Sequence, residues 1–242
     1  MTRHATLNRK WRRWIKLLED ELGTLLDSRH IFRGLKAMVL DNEAIQKPRA
    51  FHDWVTRNYC IATWIGIRRL MDEDRRSISV IRLLNDIEKN ADYLTKESYV
   101  RRYPLHSRKA GEQSFDRNAG NRVDRLPVTV PQTDRDDLKK RLHRLERFIT
   151  KRIAHYDIGS DRRAIPSMAT VDSALDRLDK ILMKYMLLIK GSAPQTAGAE
   201  SWTFNWTDIF HVPWISDPNK NYAEVRDVAK PTAKKNLPWF IT

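Results

Sequence analysis

Apolar residues in this chain recur every third or fourth position, and that spacing, sustained over whole segments, is the period of a helix buried on one side. Trp11, Trp14, Ile15, Leu18, Leu22, Leu25 and Leu26 set the pattern and predict a helix over 7–27. Ile31, Leu35, Met38 and Val39 continue it over 29–43, where Pro48 disfavours helix in the residue before it. A third helix, 48–71, begins at that proline, which suits a first turn, and carries the stripe Phe51, Trp54, Val55, Asn58, Ala62, Ile65 and Leu70. Ser77 is placed to cap a fourth over 77–95, with Ile78, Ile81, Leu84 and Ile87 inward. Thr133, with Asp136 three residues on, opens a fifth over 133–157 with Leu138, Leu142, Leu145, Ile149 and Ile153 on its apolar side. Thr170 caps a sixth over 170–190, built on Val171, Leu175, Leu178, Leu182, Tyr185 and Ile189 and ended by Gly191. Only eight glycines in 242 residues is poor material for a many-turned β protein. The fold class is therefore all-α, a helical bundle in one domain over 1–215.

Two stretches break the period. Residues 101–131 hold three prolines, two glycines and seven Arg or Lys against three acids, and read as a long basic loop. Residues 200–215, "ESWTFNWTDIFHVPWI", are aromatic without helical length and read as an extended strap, with 216–242 a loosely ordered tail. No repeat of solenoid length is evident. The eight tryptophans fit core and strap packing better than base stacking, since Trp11, Trp14 and Trp54 lie on apolar stripes.

A net charge of +14 attracts anionic partners, RNA among them, or an acidic protein. The lone Cys60 has no partner for an internal disulfide, which fits a reducing compartment. The start "MTRHATLNRKWRRWIKLLEDEL" is basic but has no apolar stretch of signal-peptide length, and no segment approaches the ~20 apolar residues that span a bilayer. A cytoplasmic protein without membrane association is expected. There is no cysteine pair, HExxH, GxxxxGK[ST] or GxGxxG, so neither metal nor cofactor is implied. His4, His30, His52, His106 and His211 have ordinary terminal, helix-start, loop or strap placements, whereas His155 stands near the end of the fifth helix, where a protonated imidazole is favoured by the helix dipole.

The segment around His155, "TKRIAHYD" (150–157), resembles the part of HEPN-superfamily proteins that carries an Arg-x4-6-His pattern. "GIRRLMDEDRRSISVIRLLNDI" (66–87) and "WTDIFHVPWI" (206–215) are similar, in the same order, to the AbiU-like branch of abortive-infection proteins. The resemblance implies a compact all-α bundle, a metal-independent RNase of a prokaryotic defence or toxin-antitoxin system, and a site formed across a homodimer. It points to His155 as catalytic, with Tyr156 and Asp157 of the same motif in support. One departure stands out. With four to six residues between them and His155, the positions the pattern gives to arginine are Thr150, Ile149 and Phe148, none of them arginine; Arg147, with seven residues between, is one position too far and Arg152, with two, too near. On a helix Arg152 shares the face of His155, while Arg147 is turned by about 80° and ~12 Å away along the axis. Arg152 is the better catalytic substitute, with Arg69, Arg147 and Lys151 on nucleic acid and Asp72 orienting a basic group. The alternative is a catalytically degenerate bundle that binds nucleic acid or a protein partner without cutting.

Overall fold

The computed structural model describes residues 3–47, 49–121, 123–149, 166–191 and 205–212. The chain divides into two compact units, Met1–Ser201 and Trp202–Thr242. Among the described residues there is no strand, only an isolated bridge between Thr95 and Arg125. The first unit contains α1 (Arg3–Asp41), α2 (Arg49–Met71), α3 (Val80–Lys89), α4 (Lys96–Val100), α5 (Arg108–Ala119), α6 (Thr129–Ile149) and α7 (Met168–Lys190).

Helix α1 buries Trp11, Ile15, Leu18, Leu22, Leu25 and Leu26 against α7 and α2, the stripe the sequence predicts except for Trp14, which is only half-buried. It does not break near residue 28. The Ser28 hydroxyl donates to the Thr24 carbonyl at 2.7 Å, a bond inside the helix that leaves the oxygen no capping role, and 7–27 and 29–43 are one helix of 39 residues. On α3 the cap is Ser79, whose oxygen accepts from Arg82 N–H at 3.1 Å. Ser77 belongs to the preceding turn, bonded to the Asp74 carbonyl. Helix α6 starts at Thr129 instead of 133, because Pro131 in the first turn lacks an N–H that would have no partner there anyway. Ser167 caps α7, and Thr170 lies inside its first turn, donating its N–H to the Ser167 oxygen at 3.2 Å. Gly191 ends α7 as expected, in the left-handed conformation (φ 76°) with its N–H on the Leu187 carbonyl.

The largest departure lies in 101–131, which is not a continuous loop: α5 occupies 108–119. Its buried positions are Gly111, Phe115 and Ala119, four residues apart, one large side chain between two small ones. The small positions let neighbours close in, and a Cβ on Gly111 would stand 2.8 Å from the Tyr103 ring. Tyr99 packs on Phe115 at 5.5 Å and shares its hydroxyl with Tyr103 and Ser114, while Lys96 holds Asp116 at 2.9 Å.

Polar clamps join the long helices. Asp86 on α3 accepts from Lys10 Nζ and Trp11 Nε1 of α1, both at 2.7 Å. Asp134 on α6, 9% exposed, accepts from Lys184 Nζ at 2.7 Å and Tyr185 Oη at 2.9 Å on α7. Arg102 donates to the Leu188 and Ile189 carbonyls at 3.2 and 2.7 Å, neutralising the negative end of α7. In the second unit, Trp206–His211 is a short 3-10 turn capped by Asn205, so this part of the expected strap is coiled and not extended. Trp206 and Phe210 meet edge to face within it at 6.0 Å. No helix among the described residues is long and apolar enough to cross a membrane.

Candidate functional site

Helices α6 and α7 are joined by residues 150–167, and both flanks of that connection rest on the same turn of α2. Before it, Phe148 sets its ring edge-on to Trp64 at 5.1 Å. After it, Met168 Sδ lies 3.8 Å from Cys60 Sγ. Residues 60–64 of α2 therefore sit below the place where the chain leaves α6 and re-enters α7. Burial pushes the Cys60 thiol up to about 11, well above an ordinary cysteine, so it packs there as an apolar group.

This turn is unusually polar for its burial. Tyr59, Thr63 and Trp64 are 8%, 0% and 3% exposed, and Tyr59 Oη, Thr63 Oγ1 and Trp64 Nε1 have no hydrogen-bond partner among the described residues. The two hydroxyls are one helical turn apart and interact electrostatically without meeting hydrogen-bond geometry. Phe32 of α1 stacks on Tyr59 at 4.1 Å, and burial raises the Tyr59 phenol. Unpartnered buried donors are rare enough in folded proteins to mark a place.

Around it the charge is uneven. In the first half of α6 charges are matched: Arg135 with Glu88, Lys139 with Glu73 at 2.7 Å, and Asp137 with Arg141 and Arg177, each at 2.6 Å. Toward its C-terminus Arg144 and Arg147 are exposed and have no ion pair among the described residues. Arg68, one turn beyond Trp64 on α2, is equally exposed and lies within electrostatic range of Glu146. Glu146 is held above the usual carboxylate range by burial and then by Glu73, against the pull of His143, Lys139 and Arg68. A groove of about 420 Å³ opens between α6 and α7, lined by Arg141, Leu142, Leu145, Ala169, Thr170, Ser173 and Ala174.

Of the residues the sequence singles out, Lys151, Arg152, His155, Tyr156 and Asp157 lie outside the described residues. Arg147 is on the last turn of α6, facing solvent. Arg69 pairs with Glu21 of α1 at 3.1 Å. Asp72 accepts the Asp74 N–H at 3.1 Å in the turn after α2, with its carbonyl taken by the Ser79 hydroxyl. Two residues near the connection escape motif-based selection. Arg68 adjoins Arg69, and only the fold shows which of the two is engaged. His143 lies one turn before Arg147 on α6, exposed beside Glu146. Among the described residues no cluster of three or more His, Cys, Asp or Glu could hold a metal ion.

The described residues of the first unit form an all-helical bundle in which α6 runs into the segment "KRIAHYD". The chain matches the family model HEPN_AbiU2, described as AbiU2, over residues 9–212, and it belongs to that family. No curated protein matches it, and no solved structure does.

Proposed function

We propose that this HEPN-type abortive-infection protein is a metal-independent endoribonuclease acting through His155. The observation that carries the reading is the cationic end of α6, where the chain runs into the His155 segment: Arg144 and Arg147 of α6, and Arg68 of α2 within electrostatic range of Glu146, are exposed with no ion pair among the described residues. Such charge raises the local concentration of phosphodiesters. The chemistry needs a base to take the ribose 2′-OH proton, an acid for the leaving 5′-oxygen, and a cation for the phosphorane. An imidazole serves both proton transfers near neutral pH, and a guanidinium presents a planar fork to phosphate. In this reading His155 moves protons, Arg152 meets the phosphorane, Arg147 and Lys151 hold the RNA backbone, and Tyr156 and Asp157 orient the histidine. A homodimer supplies a second His155, so that one copy acts as base while the other acts as acid. Arg69, engaged with Glu21, and Asp72, engaged in its turn, are assigned the outer edge of the RNA path.

A second reading has its own observation. No arginine precedes His155 with four to six residues between them, and a bundle that has lost it binds RNA or a protein partner without cutting. One experiment separates the two. Purified protein and its His155→Ala variant are incubated with a long unstructured RNA in EDTA at low salt. Cleavage to 2′,3′-cyclic phosphate ends by the parent, lost in a variant that still folds, establishes the nuclease. Salt-sensitive binding without cleavage by either establishes the degenerate form, and absence of both removes RNA from the account.

A further inference from the structure

The first eighteen residues carry six cations and no acid, and α1 opens with them. Two are engaged: Lys10 with Asp86 at 2.7 Å, and Arg3 over the Tyr93 ring at 5.7 Å. Arg9, Arg12, Arg13 and Lys16 are exposed and have no ion pair among the described residues. At 100° and 1.5 Å per residue these four fall within an arc of about 100° and along about 10 Å of helix, turned away from the buried Trp11, Ile15 and Leu18. Asp20, one turn past Lys16, is the first exposed acid and ends the strip.

Arg12 ties this strip to the end of α7. Its Nε donates to Asn8 Oδ1 at 2.7 Å, and its Nη2 reaches the Ile189 carbonyl at 3.4 Å, the same oxygen to which Arg102 donates at 2.7 Å. Two guanidiniums thus converge where the dipole of α7 offers only about half a negative charge. Neither has an ion pair among the described residues, and Glu19 close by is taken by Lys190 at 2.7 Å. Arg102 is held below the ordinary arginine value by burial and then by the charge of Arg12. Positive charge here exceeds what the surrounding groups balance, and that excess attracts an anion.

Chemistry and shape identify the anion. Three of the four strip residues are arginines, whose planar forks match phosphate oxygens. An anionic membrane would need an apolar face beside the charge, but the apolar face of α1 is in the core, with Trp11 1%, Ile15 0% and Leu18 2% exposed. A protein partner would need an apolar or aromatic anchor at the centre of the contact, and the arc from Arg9 to Lys16 holds none. A run of phosphates fits what is left. Helix α7 spans about 33 Å between Met168, where the connection carrying His155 re-enters, and the end beside Arg12. At about 3.4 Å per stacked nucleotide, a strand of about ten nucleotides or more reaches from one to the other.

We propose that the Arg9–Arg12–Arg13–Lys16 strip of α1 is a second phosphodiester-binding surface, which anchors an RNA strand about 30 Å from the start of α7. The inference rests on the reading above that RNA is the ligand, but not on its being cut. Binding of a long unstructured RNA is measured across a salt series in a His155→Ala background, which keeps the RNA intact. The test variant adds Arg9→Ala/Arg13→Ala/Lys16→Ala, leaving Arg12 to brace α7. The control adds Lys36→Ala/Lys47→Ala/Arg57→Ala, which removes the same charge from exposed positions elsewhere. With helical circular dichroism unchanged, the test variant should lose more than about tenfold in affinity at low salt. Its slope of log K against log[salt] should flatten by about 2, three lost contacts at ~0.7 each. The control should keep most of both. An Arg13→Cys protein carrying a photo-crosslinker should label the RNA, Cys60 being buried. A test variant that binds with the parental slope, a control that loses as much, or an unlabelled RNA overturns the proposal. So does loss of binding to phosphatidylcholine–phosphatidylserine vesicles with RNA binding unchanged. A parent that binds no RNA at low salt overturns it together with the RNA reading, whereas RNA held by the strip and left uncut by the parent in EDTA supports it and refutes the nuclease alone.

Discussion

Replacing Asp134 by alanine tests how α6 and α7 are held together beneath the connection that carries His155. The carboxylate serves two donors of different surroundings. Tyr185 is 0% exposed, and removing its acceptor leaves a buried hydroxyl unsatisfied, at a cost of about 1–3 kcal/mol. The Lys184 side chain is 23% exposed, so its ammonium turns to water and loses only about 1 kcal/mol. Together Asp134→Ala should cost about 3 kcal/mol, toward the lower end of what breaking a wholly buried pair costs. Tyr185→Phe keeps the ion pair and should cost about 1 kcal/mol. The discriminating measurement is the double variant in urea denaturation. If the penalty in Asp134→Ala comes from the stranded hydroxyl, adding Tyr185→Phe removes the stranded group and recovers about 1 kcal/mol or more, with the m-value unchanged. A double variant less stable than Asp134→Ala alone would refute that account and place the cost in lost packing.

Two further outcomes follow from buried titratable groups. Burial raises the phenols of Tyr59, Tyr99 (to about 12) and Tyr185, where the Asp134 carboxylate adds to it. Above about pH 10 the unfolded chain releases protons that the native chain retains, so stability should fall as pH rises. Tyrosinate absorbance of the native protein should show a late-titrating class, and uniform ionisation near pH 10 would contradict the packing. The Cys60 thiol, buried and raised to about 11, should react with a thiol reagent only as fast as the protein opens. Rapid labelling of native protein would contradict its seat on Met168.

Where a segment has one apolar side, its period is enough to identify the buried face. The buried faces of α1, α6 and α7 were legible because Trp11 to Leu26, Leu138 to Ile149 and Val171 to Ile189 each offer a single stripe. Helix α2 offers two, and the period cannot say which faces inward. The inner one hides Thr63 and Gly66 among its members, and Gly66 is there because a Cβ would come within 2.6 Å of Leu25. Helix α5 was illegible for a related reason: glycine and alanine flank its one aromatic, so close approach of neighbours replaces hydrophobic mass as the signal. At the candidate site the motif drew the eye to Arg69, whereas the fold engages Arg69 with Glu21 and leaves Arg68 exposed. Neighbours in sequence diverge in role because they are 100° apart on the helix.

The distribution of paired and unpaired charge ties these features to function. A chain of +14 must leave many cations uncompensated, and the fold does not spread them evenly. Cations that join helices have their acids: Lys10 with Asp86, Arg33 with Asp172, Lys184 with Asp134, Lys190 with Glu19. Along α6 the ion pairs with Glu88, Glu73 and Arg177 come first, and Arg144 and Arg147, exposed and without an ion pair among the described residues, come last, at the end of the helix whose carbonyl dipoles favour cations. Residues 34–58, from the end of α1 to the start of α2, carry four cations against three acids and expose Leu40, Ile45, Phe51 and Trp54. Turn 60–64 of α2 separates these two environments, with the nearly neutral stretch 34–58 on its N-terminal side and Arg68 on its C-terminal side. Anions are drawn more strongly to the second of these than to the first, and salt screens that attraction.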